Sequence, residues 1–275
     1  MNEPQRFGDF WTVQKLDAVE KYLEFYTTAL KKQSFKLCYI DAFSGSGNVM
    51  LKDGQVIDGS AIRALKYPFD QYYFFEKDKK FYDALLNKIH ISFSDKMDHI
   101  RLIHGDCNDL LLGIDDFSWM ANKWRGVIFL DPYAMDLSWL CLENISRTKA
   151  FDVWYLFPFS AVNRNLPNSG EIRPANENIL TKIFGSADWK SKIYTESRQQ
   201  TIFEEPGLEK VPVDGLKQYV LSRLKDTFYT VAPNPALLKN EKNSPLFLLC
   251  FAGSNPSKAA QELSLKGAKH ILEKI

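Results

Sequence analysis

The sequence is poor in the residues that hold metals or staple small folds. It has four cysteines and four histidines in 275 residues, and Cys38, Cys107, Cys141 and Cys250 stand far apart with no CxxC pair. That spacing argues against a zinc site, and no metal is expected. A chain this long buries enough surface to hold a core without such staples. Cys38 and Cys250 sit in apolar runs and read as small buried hydrophobes. No apolar run reaches the roughly 18–20 residues that would span a bilayer. The opening residues, Met1 to Arg6, are polar and lack the apolar stretch of a signal peptide, so a cytoplasmic location is expected. Charge of one sign is also lacking. Thirty-five Lys and Arg face thirty-four Asp and Glu, a net charge of +1, so no global basic field advertises nucleic acid. A local basic face stays open.

What is present is an ordinary apolar share of 45% and a high aromatic share of 14%. Most of those rings belong in a core, and some can stack on a base or cofactor ring. Apolar runs alternate with amphipathic segments. Leu16, Val19, Leu23 and Tyr26 fall at helical spacing and predict a helix over 11–30. Strands are predicted at 37–43, 72–75, 100–104, 126–130 and 152–157, with helices at 60–66, 79–90 and 137–148 between them. This alternation predicts a parallel sheet with helices on both faces, an α/β fold of the Rossmann-like class. Residues 163–215 are punctuated by Pro167, Gly170, Pro174, Pro206, Gly207 and Pro212. They read as a helical insertion in the same domain, with helical stretches at 177–184 and 187–201. Its scattered cations, Arg164, Arg173, Lys182, Lys190, Lys192 and Arg198, suit a substrate clamp or a docking surface. A helix over 214–224, runs at 227–231 and 246–252 forming an antiparallel strand pair, and a last helix over 256–274 complete one domain of 275 residues. Residues 1–36 are expected to form a helical lid and 216–275 the end of the sheet domain.

Four sites follow the first four strands. Asp41-Ala42-Phe43-Ser44-Gly45-Ser46-Gly47 is a glycine turn that lets backbone approach a ligand closely. A dinucleotide fold would use G-x-G-x-x-G, and the third glycine is missing here. The acidic Asp41 would repel a pyrophosphate and suit a cationic ligand. Glu76, after the second strand, can accept ribose hydroxyls; the alternative is a solvated charge in the run Glu76-Lys77-Asp78-Lys79-Lys80. Asp106, in Gly105-Asp106-Cys107, can accept from an adenine amine or cap the helix that follows. Asp131-Pro132-Tyr133 offers a carboxylate for a substrate amine and a ring for a planar base, or else a plain strand-ending turn. Further candidates are weaker. Gln14 and Lys15 of the first helix can reach the site or remain solvated. Ser60 can cap its helix and line the pocket. Phe157 and Phe159 can wall a cavity or pack in the core.

The succession YIDAFSGSG (39–47), DGSAIRAL (58–65), FFEKD (74–78), HGDCND (104–109) and FLDPYAMDLSW (129–139) resembles class I S-adenosylmethionine-dependent methyltransferases. With WTVQKLDAVEKYLEFY (11–26) it is similar, more narrowly, to the three-Cys-motif partner protein family, over roughly residues 11–160. The resemblance implies S-adenosylmethionine as cofactor. Asp41, Phe43, Gly45 and Gly47 would cradle its methionine part, Glu76 would hold its ribose, Asp106 its adenine, and Asp131 would face the methyl group; Lys77 and Cys107 are further cofactor-binding candidates. It also implies a separate cysteine-motif partner protein. Amino-methyltransferases carrying D/N-P-P-Y have a second proline that is missing from Asp131-Pro132-Tyr133. The expected reaction is N-methylation of a nucleobase in RNA or DNA. The alternatives are an inactive cofactor-binding scaffold and methylation of a peptide or small molecule.

Overall fold

The computed structural model describes residues 5–8, 10–196 and 208–275. Its main sheet has eight strands: β1 (Lys36–Asp41), β2 (Gln71–Glu76), β3 (Ile100–His104), β4 (Trp124–Leu130), β5 (Phe151–Phe157), β6 (Thr230–Val231), β7 (Ala236–Lys239) and β8 (Pro245–Gly253). β3, β2, β1, β4 and β5 lie side by side in that order and are all parallel. β8 pairs antiparallel with β5, and both β6 and β7 pair antiparallel with β8. The expected strand pair is therefore β6 with β8. β7 is an addition that periodicity did not predict, because Pro235 and Asn240 leave it only three apolar residues.

Alternation along the strands sends side chains to two separate cores. Cys38, Ile40, Ile128, Leu130, Val153 and Tyr155 face one side; Leu37, Tyr39, Val127, Phe129, Trp154 and Leu156 face the other. The second face is covered by α1 (Phe10–Leu30), α2 (Ser60–Ala64), α3 (Lys79–Ser92) and α10 (Lys258–Leu272). The first is covered by α4 (Cys107–Leu112), α5 (Trp139–Arg147), α6 (Phe159–Arg164), α7 (Pro174–Phe184), α8 (Trp189–Ile193) and α9 (Val213–Thr227). A strand buried on both faces must be a near-continuous apolar run, and β5, FDVWYLF, is buried at every position. All four cysteines are free and buried.

Leu180, Phe184 and Trp189 of the segment 163–215 join the core of the first face. Within that segment the helix expected over 187–201 stops at Ile193, and Tyr194–Glu196 pairs antiparallel with Leu208–Lys210. Arg198, Pro206 and Gly207 lie outside the described residues. Phe157 and Phe159 are core residues, each under 2% exposed, and neither lines the cavity described below. No helix among the described residues is long and apolar enough to cross a membrane.

Candidate active site at the carboxyl edge of the sheet

The parallel strands β1, β2, β3 and β4 end at one edge, and the turns that follow them assemble the site, as doubly wound sheets generally do. After β1 the chain turns through Gly45 and Gly47, at φ 61° and 79°. A Cβ on Gly47 would stand 2.9 Å from Leu85 Cδ1 and 3.1 Å from Ile62 Cγ1, so the turn needs glycine both for its backbone and for its packing. Gly59 closes the turn by donating its N–H to the Gly47 carbonyl at 3.0 Å. The N-cap of α2 is Gly59, and Ser60 lies inside the helix. The expectation that Ser60 caps is thus corrected: α2 has no side-chain cap, and Ser60 lines the cavity described below.

Asp41 is wholly buried beneath this turn. It accepts from the Phe43 N–H at 3.2 Å and the Tyr39 hydroxyl at 3.4 Å. Burial pushes its carboxyl up to about 7; Ser60 and Phe43 pull it down, and the Asp131 and Glu76 carboxylates push it up again. Asp41 consequently shapes the loop from below, and Phe43, Gly47 and Ser60 are what the loop presents to the cavity.

Glu76 ends β2 with both oxygens held, Oε2 by the Gly45 N–H at 2.8 Å and Oε1 by the Asp78 N–H at 2.7 Å. Burial raises its carboxyl, and those two N–H groups oppose the rise. It is 7% exposed, so the reading as a fully solvated charge does not hold. The cap in that run is Asp78, which accepts from Lys80 and Phe81 at the start of α3. Each oxygen of Glu76 keeps a lone pair beyond the one engaged. After β3, Asp106 caps α4 through the Asn108 N–H at 2.9 Å and takes Lys77 Nζ at 2.8 Å. The Lys77 ammonium above all holds its carboxyl down at about 2. The Cys107 side chain points into the core, 4% exposed, and burial pushes its thiol up.

Beyond β4, Asp131, Pro132, Tyr133 and Ala134 form one wall of a cavity of about 300 Å³. Trp11, Thr12, Lys15 and Leu16 of α1 form another, and Phe247 of β8 a third. Lys15 is 7% exposed; its ammonium pairs with Asp131 Oδ2 and lies 4.9 Å from the Trp11 ring centre. The Trp11 ring in turn meets Phe247 at 4.7 Å. Gln14 points elsewhere, donating to the Ile275 carbonyl at 3.2 Å. The Tyr133 ring is 46% exposed at the cavity, and burial of its hydroxyl, with Glu76 and Asp131 nearby, pushes it up to about 12. Ala134 holds φ 49°, a left-handed position that ordinary residues avoid.

The structure thus brings Phe43, Gly47, Ser60, Lys15 and Asp131-Pro132-Tyr133 around one cavity, with Gly45 and Glu76 joined beside it and Lys77 with Asp106 further along the edge. Trp11 and Phe247 were not read from the sequence. They lie 236 residues apart, and no local pattern links a helix start to the last strand.

No protein-family model and no curated protein matches the sequence. Solved structures do. A Legionella pneumophila protein, LPL1258, superposes with a TM-score of 0.53 at 13% identity, over 96% of this chain and 93% of that one. The methyltransferase domain of bacterial CtHen1-C gives 0.41 at 13% identity, over 86% and 98%. Trm1 from Pyrococcus horikoshii, solved with S-adenosyl-L-methionine, gives 0.39 at 12% identity, over 92% and 66%. Likeness at such identity speaks for architecture alone. The mostly parallel sheet with helices on both faces and antiparallel strands at one edge is a Rossmann-like α/β fold.

Proposed function

We propose that this protein is an S-adenosylmethionine-dependent methyltransferase that methylates an amino nitrogen of a planar acceptor, a nucleobase in RNA or DNA. One observation carries the reading. Asp41, Glu76 and Asp131 end or follow the parallel strands β1, β2 and β4 at the edge where a glycine turn opens a cavity, with Asp131 in its wall and Asp41 buried beneath the turn. Such an edge repels a pyrophosphate and favours a cation. It also opposes a dinucleotide ligand, which the missing third glycine already disfavours. The donor set fits the cofactor: the unused lone pairs of Glu76 suit ribose hydroxyls, and Phe43, Gly47 and Ser60 line the space beside them. Asp106 keeps acceptor capacity on the carboxylate oxygen that Lys77 holds.

When bound, S-adenosylmethionine supplies an electrophilic methyl group on a sulfonium. The chain's own work is alignment and exclusion of water. Lys15 sits on Oδ2 of Asp131, which leaves Oδ1 to accept an N–H from the attacking amine and to orient the nitrogen lone pair. Asp131 Oδ1 would also take up the proton that the amine loses on methylation. Trp11, Tyr133 and Phe247 present aromatic surface on which a planar base can stack. A separate cysteine-motif partner protein, which the sequence's resemblance to the three-Cys-motif partner family implies, would carry or present the acceptor.

The test is transfer of labelled methyl groups to RNA, to DNA and to protein, with the native chain and Asp131→Asn. Incorporation into nucleic acid, reduced by about 10²-fold or more in the variant, is expected. Incorporation into protein alone, or a variant as active as the native chain, would overturn the acceptor and the role of Asp131.

A further inference from the structure

A second cavity of about 340 Å³ lies at the opposite end of the same strands. α1 and α10 enclose it, with the starts of β4 and β5 as its floor. It shares no lining residue with the first cavity. Six positions along β4 separate Arg125, which lines it, from Asp131 at the other edge, about 20 Å at the rise of a strand. Its volume is in the range that small-molecule sites occupy.

The walls are aromatic: Tyr22, Phe25 and Tyr26 of α1, and Phe35 just before β1. Among them stands Asp152, the second residue of β5, only 9% exposed. Its Oδ2 accepts from the Tyr22 hydroxyl at 2.7 Å, and among the described residues Oδ1 has no hydrogen-bond partner. No ion pair among the described residues reaches it either. Among the described residues the cation lining the cavity is Arg125, engaged by the face of Phe35 at 4.5 Å and by the Trp124 carbonyl at 2.6 Å. A buried carboxylate without a counter-charge is costly, and sequences seldom keep one without a use. Burial accordingly pushes the Asp152 carboxyl up to about 7.

We infer that this cavity is a binding site for a small organic ammonium ion with an apolar body. The ammonium would pair with Asp152 Oδ1, and the π faces of Tyr22, Tyr26 and Phe25 would receive the charge and the hydrocarbon together. Neutral and anionic compounds of the same shape lack the group that Asp152 calls for. The inference stands apart from methyl transfer and rests on no residue of the first cavity.

The experiment is calorimetric titration of the full chain with phenethylammonium, phenethyl alcohol and phenylacetate. The expected result is saturable binding of the ammonium, at least tenfold weaker binding of the alcohol, and none of the anion. Asp152→Asn, which still accepts from Tyr22, weakens the ammonium at least tenfold. Ala260→Phe, which fills the cavity from α10, abolishes binding and decides the matter if the first variant fails to fold. Asp131→Asn in the other cavity leaves the affinity unchanged. Equal affinity for ammonium and alcohol, no binding at all, or loss in Asp131→Asn would overturn the assignment.

Discussion

Lys15 and Asp131 are 116 residues apart in sequence and form the partly buried ion pair at the centre of the proposed chemistry. A charged hydrogen bond of this kind contributes about 1.5–3 kcal/mol. Lys15→Met leaves Asp131 with no cation holding Oδ2, so its carboxylate is free to turn from the acceptor. We expect kcat/KM to fall about tenfold or more, while affinity for S-adenosylhomocysteine changes less than threefold. Single-turnover kinetics alongside calorimetry separates the two. Equal losses in both would mean that Lys15 serves the cofactor, and the account of Asp131 would need revision. The sequence offered Lys15 only as a helix position that can reach the site, because its partner is set by packing of α1 across the sheet.

At the scale of elements, the turns after β1 and β4 carry the backbone constraints. Gly47→Ala places a side chain at φ 79° and a Cβ 2.9 Å from Leu85, so it should destabilise by about 1–3 kcal/mol in denaturant titration. Ala134→Gly removes the strain of φ 49° and should stabilise by up to about 1 kcal/mol. A stabilised Gly47→Ala or a destabilised Ala134→Gly would contradict the loop geometry. These turns also mark how far sequence reading reached. The first five strands were legible as apolar runs, the first four of them closed by Gly, Asp or Glu. Caps were less so. α2 is capped by Gly59 rather than by Ser60, which already lies inside the helix. β7 escaped because three apolar residues between Pro235 and Asn240 carry no period. The walls supplied by Trp11 and Phe247 escaped because only the closed sheet brings them within 4.7 Å.

For the whole molecule, two carboxyls buried in the two halves of the structure set the response to pH. Asp41 and Asp152 are both pushed up to about 7 by burial, from the 3.8 expected in the unfolded chain. Between about pH 4 and 7 the folded protein holds protons that the unfolded chain has released. Their contribution to stability is therefore full below about pH 4 and is lost as pH rises through 7. Asp106, held at about 2, works with the opposite sign in a different window: its contribution is present above about pH 4 and lost as pH falls through 2. Urea midpoints should thus be higher at pH 5 than at pH 7.5, with the difference reduced in Asp152→Asn. A midpoint that rises between pH 5 and 7.5 would contradict the burial assigned to these two groups.

The central claim is that the acidic edge after β1 and β2 holds S-adenosylmethionine, and calorimetric titration with S-adenosylhomocysteine tests it most directly. The Glu76→Gln variant is the natural control, since its amide oxygen can still accept from the Gly45 N–H while one acceptor for the ribose is lost. Saturable binding near micromolar, about 8 kcal/mol, is predicted for the native chain. In Glu76→Gln it should be weakened about tenfold or more. No binding by the native chain, or equal binding by the variant, would contradict the account.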